Sequence, residues 1–241
     1  MTPPAGPPAP AKPFTGRPLL AATLIVVDTN ASEPRILMGR RRPDAIFLPD
    51  KMVFPGGRVE ASDGDLELAG AFSAHDQGRL LRGVRHPDAE RNARAFVTAA
   101  VRETFEETGY LVAVNGVAQS DVAQDWPALV RAGIRPDRSR LRFVARAITP
   151  PGRPRRYDTR FFMATADAVR MIAPRTDGEL SEIGWFGFDA VSAHDLPSIT
   201  RMVLSDLKAA LNAGPEPEIP FYYWRSGAFR RAVLIERAAP A

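Results

Sequence analysis

Cysteine is absent from the 241 residues. That excludes disulfides, thiolate zinc sites and thiol nucleophiles together. Long apolar runs are missing as well: no stretch approaches the ~20 residues that cross a bilayer as a helix. Lysine is scarce, so the positive charge is almost all arginine, and the net charge is only +4 with a pI near 9.8. Such an excess suits an anionic substrate, but it is modest. The arginines are scattered rather than gathered in a strip with stacking aromatics, so nucleic acid is not the expected partner. The three histidines, His75, His86 and His194, share no metal-ligand spacing and read as surface or loop. No internal repeat or linker divides the chain, and 45% hydrophobic content suffices for one sizeable core.

What is present begins with a proline-rich stretch, residues 1–18, which cannot pack and is expected to be a disordered tail. "LLAATLIVVD" follows. Behind Lys12 and Arg17 it resembles the apolar centre of a signal peptide, but its β-branched second half and the turn cluster "DTNASEP" favour a buried strand. The expectation is therefore a cytoplasmic protein with no membrane partner. "RILMGRR" reads as the partner of a hairpin, and "KMVF" as a short strand running into Gly56 and Gly57. The polar, helix-prone stretch 61–91 precedes a helix that starts near Asn92 to Phe96. "LRFVARAIT" and "RYDTRFFMATA" read as strands around the turn "PPGRPR". "TDGELSEIGWFGF" reads as a loop entering a strand, the segment from Pro197 to Gly214 as an amphipathic helix, and "RRAVLIER" as a further strand. Trp185 and Phe186 read as core, and Tyr222, Tyr223 and Trp224 as cover for a sheet edge, with base stacking as the other use. The expected fold is a mixed α/β (α+β) domain over 19–241, its β-sheet sandwiched between helices. Residues 61–91 form a helical excursion in it, and 196–241 a C-terminal helix and tail.

The stretch "RETFEETGY", Arg102 to Tyr110, breaks a local rule. Gly109 marks a helix end, yet Glu103, Glu106 and Glu107 crowd the last two turns, where the helix dipole favours cations. Their i, i+3, i+4 spacing puts all three carboxylates on one face. The opposite face carries Val97, Ala100, Val101 and Phe105, which should pack on a sheet. A solvated acidic face is one account of the glutamates. A divalent cation is the other, since Mg²⁺ takes oxygen ligands from a few carboxylates and completes its shell with phosphates and water. Its charge would then dominate the local field.

"FPGGRVEASD" followed by "RETFEETGY" resembles the Nudix signature G-x5-E-x7-R-E-U-x-E-E-x-G-U, where U is a bulky apolar residue. Gly57 matches the first glycine, Arg102-Glu103 the central pair, Phe105 the apolar position, Glu106-Glu107 the acidic pair, and Gly109-Tyr110 the end. Two features depart from the pattern. Asp63 stands where it has glutamate, and the chain from Asp63 to Arg102 is far longer than it allows. A branch similar to peroxisomal coenzyme A diphosphatases carries an insertion at that place. It also resembles this chain in "FPGG", "RYDTRFF" and "DGE" before a tryptophan strand.

The resemblance implies a Nudix fold and a hydrolase cleaving the phosphoanhydride of a nucleoside diphosphate derivative with Mg²⁺ or Mn²⁺. It implies Glu103, Glu106 and Glu107 as metal ligands, with one of the set serving as base, and Arg102 as the residue that orients a glutamate. Gly56 and Gly57 would turn the backbone tightly toward the phosphates. A later loop supplies a further carboxylate in such enzymes, here Glu179 in preference to Glu182. Arg156, with Arg155 and Arg160, is a candidate for substrate phosphate or ribose, against a solvated strand edge. Coenzyme A-cleaving members carry L-L-T-x-R-S-A-x3-R-x3-G-x3-F-P-G-G. Arg40 falls on its first arginine, but Ile46 replaces the second and Asp50 the glycine. Coenzyme A and acyl-coenzyme A are therefore candidates beside ADP-ribose, dinucleotides and nucleotide sugars. A Nudix-fold module that binds such a ligand without cleaving it is the alternative, and a homodimer stays open. Two expectations are open to refutation: the glutamates should gather beside the Gly56–Gly57 turn, and 61–91 should add no central strand.

Overall fold

The computed structural model describes residues 12–65, 68–82, 89–115, 134–173, 178–211 and 218–234. Residues 1–11 of the expected tail, His86 and the start of "TDGELSE" lie outside them. In chain order the elements are β1 (Leu19–Asp28), β2 (Arg35–Arg41), β3 (Met52–Val53), β4 (Gly56–Arg58), α1 (Ala74–Leu80), α2 (Ala89–Thr108), β5 (Tyr110–Asn115), β6 (Ile134–Pro136), β7 (Arg142–Ile148), β8 (Tyr157–Thr165), β9 (Val169–Met171), β10 (Leu180–Gly187), α3 (Phe188–Ser192), α4 (Ser198–Leu211), β11 (Pro220–Arg225) and β12 (Ala228–Val233).

β1 lies inside a mixed sheet of order β10-β2-β1-β8-β7-β11-β12. It pairs in parallel with β8 from Leu19↔Tyr157 to Val27↔Thr165. Its other edge is shared: the far end pairs with β2, and Ala21, Ala22 and Thr23 pair with Arg58, Gly57 and Gly56 of β4. Side chains of β1 alternate between two cores. Ala22, Leu24 and Val26 join Phe96, Val97, Ala100, Val101 and Phe105 of α2. Ile25 and Val27 join Val203, Leu204 and Leu207 of α4. Burial on both faces is why β1 reads as an unbroken apolar run rather than an alternating one. Each fully buried Leu, Ile or Phe here contributes about 1.5–3 kcal/mol. The helices thus sandwich the sheet, and a smaller sheet, β6-β5-β9, lies beside it.

α2 begins at Ala89, earlier than the Asn92–Phe96 start read from the sequence, so its first turn lies inside 61–91. The rest of that stretch, where described, holds a 3-10 turn at Ser62–Gly64, α1, and a bridge between Ala69 and Asp137, with no strand of the central sheet. α2 stops at Gly109, whose φ is +77° and whose N–H reaches the Phe105 carbonyl at 2.8 Å. A Cβ there would lie 1.7 Å from the Ala173 carbonyl oxygen, so only glycine fits.

Arg160 corrects the reading of β8 as having a solvated edge. β8 runs between β1 and β7, and Arg160 is fully buried beneath the Phe96 ring. It pairs with Asp158, which also holds Arg146 in a two-pronged contact at 2.9 and 2.7 Å. Burial pushes Arg160 down to about 10 against the pull of Asp158, leaving it charged at neutral pH. Two guanidiniums in turn hold the Asp158 carboxyl below its ordinary value despite burial. Elsewhere, Tyr222 is buried against α4 while Trp224 stays part-exposed, packed edge-on to Phe229. Trp185 donates its indole N–H to Tyr110. No helix among the described residues is long and apolar enough to cross a membrane.

Candidate functional site

The last two turns of α2 lie against β4, which β1 holds in register. The Gly56 N–H donates to Glu107 Oε2 at 2.8 Å. Gly57 faces Glu103 so closely that a Cβ would sit 2.4 Å from its carboxylate. Glu106 is the outermost of the three, with its side chain 52% exposed against 16% for Glu103. The three carboxylates therefore gather at the glycine turn.

Arg102 organises them. Its Nη1 donates to Glu103 at 2.9 Å and to Glu106 at 3.1 Å. Its Nε and Nη2 grip the two oxygens of Asp63 at 2.8 and 3.0 Å, and Nη2 also reaches the Arg58 carbonyl at 3.0 Å. All five N–H donors of the guanidinium are used. Asp63 is fully buried, and its second oxygen also takes the Glu60 N–H at 2.7 Å. Burial opposes the charge on Arg102, but Asp63, Glu103 and Glu106 outweigh it and hold the group above its ordinary value. Bidentate Arg–carboxylate pairs combine strength with fixed geometry.

Burial pushes the Glu103 carboxyl up to about 7, against Arg102, and Glu107 up to about 8, against the Gly56 N–H. Buried carboxylates without enough positive charge nearby behave in this way. One oxygen of each glutamate is anchored, to Arg102 or to Gly56, and the other makes no hydrogen bond among the described residues. The donor set fits a hard divalent cation: all oxygen, anionic, and beside a glycine whose missing Cβ leaves room. With Arg102 drawn between Glu103 and Glu106, no three acidic or histidine side chains among the described residues already stand in metal-holding geometry.

A cavity of about 400 Å³ opens next to this cluster, lined by Arg41, Arg42, Asp44, Ala45, Ile46, Phe47, Arg155, Tyr157 and Glu179. Arg41 Nη2 donates to Glu179 at 3.1 Å. Both groups act on the charge of Glu107, Arg41 favouring it and Glu179 opposing it. Gly178 brings the Glu179 loop against the end of α2, where a Cβ would lie 3.6 Å from the Glu107 carbonyl oxygen. Phe47 and Tyr157 meet edge to face, centroids 5.2 Å apart. The wall between β2 and β3 contains Leu48 and Asp50 at φ +55° and +59°. Asp is one of the few residues that adopts the left-handed state readily.

Of the arginines singled out in the sequence, Arg40 is not among the cavity residues. It donates to Glu182 at 2.9 Å and to the Asp50 carbonyl at 3.0 Å, fastening that wall. Arg156 donates to the Thr149 carbonyl at 3.1 Å and also stays outside the cavity. Their neighbours Arg41 and Arg155 line it instead. Sequence reasoning missed Asp63 as a site residue, and missed Arg41, Phe47 and Tyr157. For the arginines the strand alternation of β2 was the available signal, since adjacent residues point to opposite faces.

No family model matches the chain. Over 163 residues it is 32% identical to a putative nudix hydrolase 7 of Caenorhabditis elegans, a match covering 63% of this chain and 46% of that protein. Over 102 residues it is 30% identical to acyl-coenzyme A diphosphatase NUDT19 of Xenopus laevis, covering 35% of this chain and 27% of that one. The chain thus spans less than half the length of these curated relatives. The crystal structure of a NUDIX hydrolase from Alicyclobacillus acidocaldarius superposes with a TM-score of 0.58 at 27% identity, over 84% of this chain and all of that one. In its signature, its fold and these relatives, the chain is similar to Nudix hydrolases.

Proposed function

We propose that this chain hydrolyses the diphosphate bond of a nucleoside diphosphate derivative with the help of Mg²⁺ or Mn²⁺. One observation carries the reading: Glu103, Glu106 and Glu107 are each fixed through one oxygen and open at the other, beside a backbone turn without side chains. These three would hold the cation. When bound, it would neutralise phosphoryl charge and activate a water, the two things phosphoryl transfer chiefly needs. Arg102 sets the rotamers of Glu103 and Glu106, and the Gly56 N–H sets that of Glu107. One carboxylate of the set takes the proton from the attacking water. The three titrate together, so the base belongs to the set rather than to one residue. Glu179 stands at the junction of cluster and cavity as the further acidic group.

Coenzyme A or an acyl-coenzyme A is the proposed substrate. The Xenopus relative acts on acyl-coenzyme A by its name, and "ILMGR" with Arg40 has the spacing of the coenzyme A motif. Asp50 departs from the motif's glycine in identity, but its φ of +59° supplies the backbone state a glycine would give. Ile46 departs more fully and is 66% exposed at the cavity. The non-hydrolysing alternative drew on Asp63 replacing glutamate. That carboxylate is the bidentate partner of Arg102, so its identity does not speak against catalysis.

The test is product release from coenzyme A, an acyl-coenzyme A, ADP-ribose, NADH and a dinucleoside polyphosphate, with Mg²⁺ or Mn²⁺ and with Glu106→Gln in parallel. Cation-dependent cleavage that disappears in the variant is expected, with coenzyme A derivatives cleaved best. Cation-dependent binding without turnover of any compound would leave the ligand-binding module standing.

A further inference from the structure

Arg41 is held in an incomplete arrangement. It ends β2 at the seam between the acidic cluster and the cavity, with its side chain only 18% exposed. Nη2 is taken by Glu179, while Nε is buried with no hydrogen-bond partner. A buried guanidinium N–H facing no acceptor is costly and uncommon. Its partner is of a different kind: the Glu179 side chain is 72% exposed. Both lie within electrostatic reach of Glu107. The other cations of the cavity are arranged differently. Arg42 is closed in a pair with Asp44 at 3.1 Å, and Arg155 is exposed at the rim.

We propose that Arg41 is a diphosphate clamp kept in reserve by Glu179. This deepens the diphosphatase reading and rests on it. In the free protein Glu179 takes one prong of the guanidinium fork, Nη2. An entering phosphate competes with Glu179 for the guanidinium, and when Glu179 turns away, as it would more readily with a cation in the acidic cluster, the fork is released toward the cavity. Nε and Nη2 then present the parallel donors that match two oxygens of a phosphate. The ligand class is a nucleoside diphosphate. Its phosphates lie against Arg41, and its remaining part lies in the cavity along the Phe47–Tyr157 wall. Arg41 touches the substrate in this account, whereas Arg40 only fastens the loop.

The experiment is calorimetric titration of the cation-free protein with ADP, at fixed salt, for wild type, Arg41→Ala, Arg41→Lys, Glu179→Gln and the Arg41→Ala/Glu179→Gln double variant. Glu179→Gln removes the competing charge and is expected to tighten ADP binding several-fold. Arg41→Ala is expected to weaken it about tenfold or more, as for loss of a charge-assisted fork. Arg41→Lys should recover only part, because an ammonium is a point charge. The double variant should bind like Arg41→Ala. A purely structural ion pair would give weakening, or nothing, on loss of either partner. ADP affinity in Glu179→Gln that is unchanged or weaker, or wild-type affinity in Arg41→Ala, overturns the clamp. Turnover separates the two readings. Cleavage with no effect of Arg41→Ala leaves the diphosphatase standing and removes the clamp. The expected binding pattern without cleavage does the reverse.

Discussion

Asp63 and Arg102 are thirty-nine positions apart in the chain and joined by two hydrogen bonds of 2.8 and 3.0 Å. The pair is buried on both sides, with Asp63 fully enclosed. Removing Asp63 leaves the buried Nε of Arg102 without its acceptor and Nη2 with the Arg58 carbonyl alone. Asp63→Ala should therefore cost about 3–5 kcal/mol of stability, read from denaturant unfolding with an unchanged m-value. It should also loosen Arg102, and with it the positions of Glu103 and Glu106. A loss below 1 kcal/mol would mean that the pair is not closed in solution.

Gly57 faces the Glu103 carboxylate with room for hydrogen and nothing larger. Gly57→Ala should force that carboxylate aside, at about 1–3 kcal/mol in stability, the usual cost of overpacking. Mg²⁺ affinity, measured by titration with thermal unfolding as the readout, should fall more than stability does. Equal Mg²⁺ affinity in the variant would mean that Glu103 does not hold the cation from this position.

pH dependence follows from Glu103 and Glu107, raised to about 7 and 8 from an ordinary 4.5. Between those limits the folded protein keeps protons that the unfolded chain has lost, so unfolding releases protons and stability falls as pH rises. The cation-free Tm should accordingly drop from about pH 5 to pH 8.5. The increment from added Mg²⁺ should grow over the same range, because the ligands must be deprotonated to bind it. Glu107→Gln keeps an oxygen for the Gly56 N–H but carries no charge. It should flatten the cation-free profile and shrink the Mg²⁺ increment. A cation-free Tm that rises across this window contradicts the assignment.

Asp158 sits between Arg146 and Arg160 deep in the sheet. Asp158→Ala strands two buried cations and should destabilise by about 3–5 kcal/mol. Arg160→Met, by contrast, removes one fully buried cation and leaves Asp158 with its two-pronged Arg146 partner, so no buried charge is stranded and the loss should be smaller. Urea midpoints of the two variants test the asymmetry, and equal losses would refute it.

Much of this is legible in the sequence. The double-sided burial of β1 showed in its unbroken apolar run, and the stripe Val97, Ala100, Val101, Phe105 showed which face of α2 meets the sheet. The grouping of the glutamates showed in their spacing. Other features depend on neighbours that sequence does not name. Arg160 alternates like a solvent-facing residue, yet strands on both sides enclose it and Asp158 makes that tolerable. Alternation puts Arg40 and Arg41 on opposite faces of β2, but which face meets the cavity depends on the pairing of β2 with β10. The partnership of Asp63 with Arg102 spans the whole excursion, and no periodicity reaches that far.

The excursion also leaves and re-enters at one collar. Arg91 grips Asp65 and the Ala61 carbonyl, Arg94 grips the Gly64 carbonyl, and Arg102 grips Asp63. The start of the excursion is thus fastened to the helix that follows it. For a loop whose ends are already closed, doubling the length costs only about 0.6 kcal/mol of further chain entropy. To the acidic cluster the intervening segment is a cassette on a fixed socket. A change in its length should therefore leave the spacing of Asp63, Arg102 and the glutamates as it is.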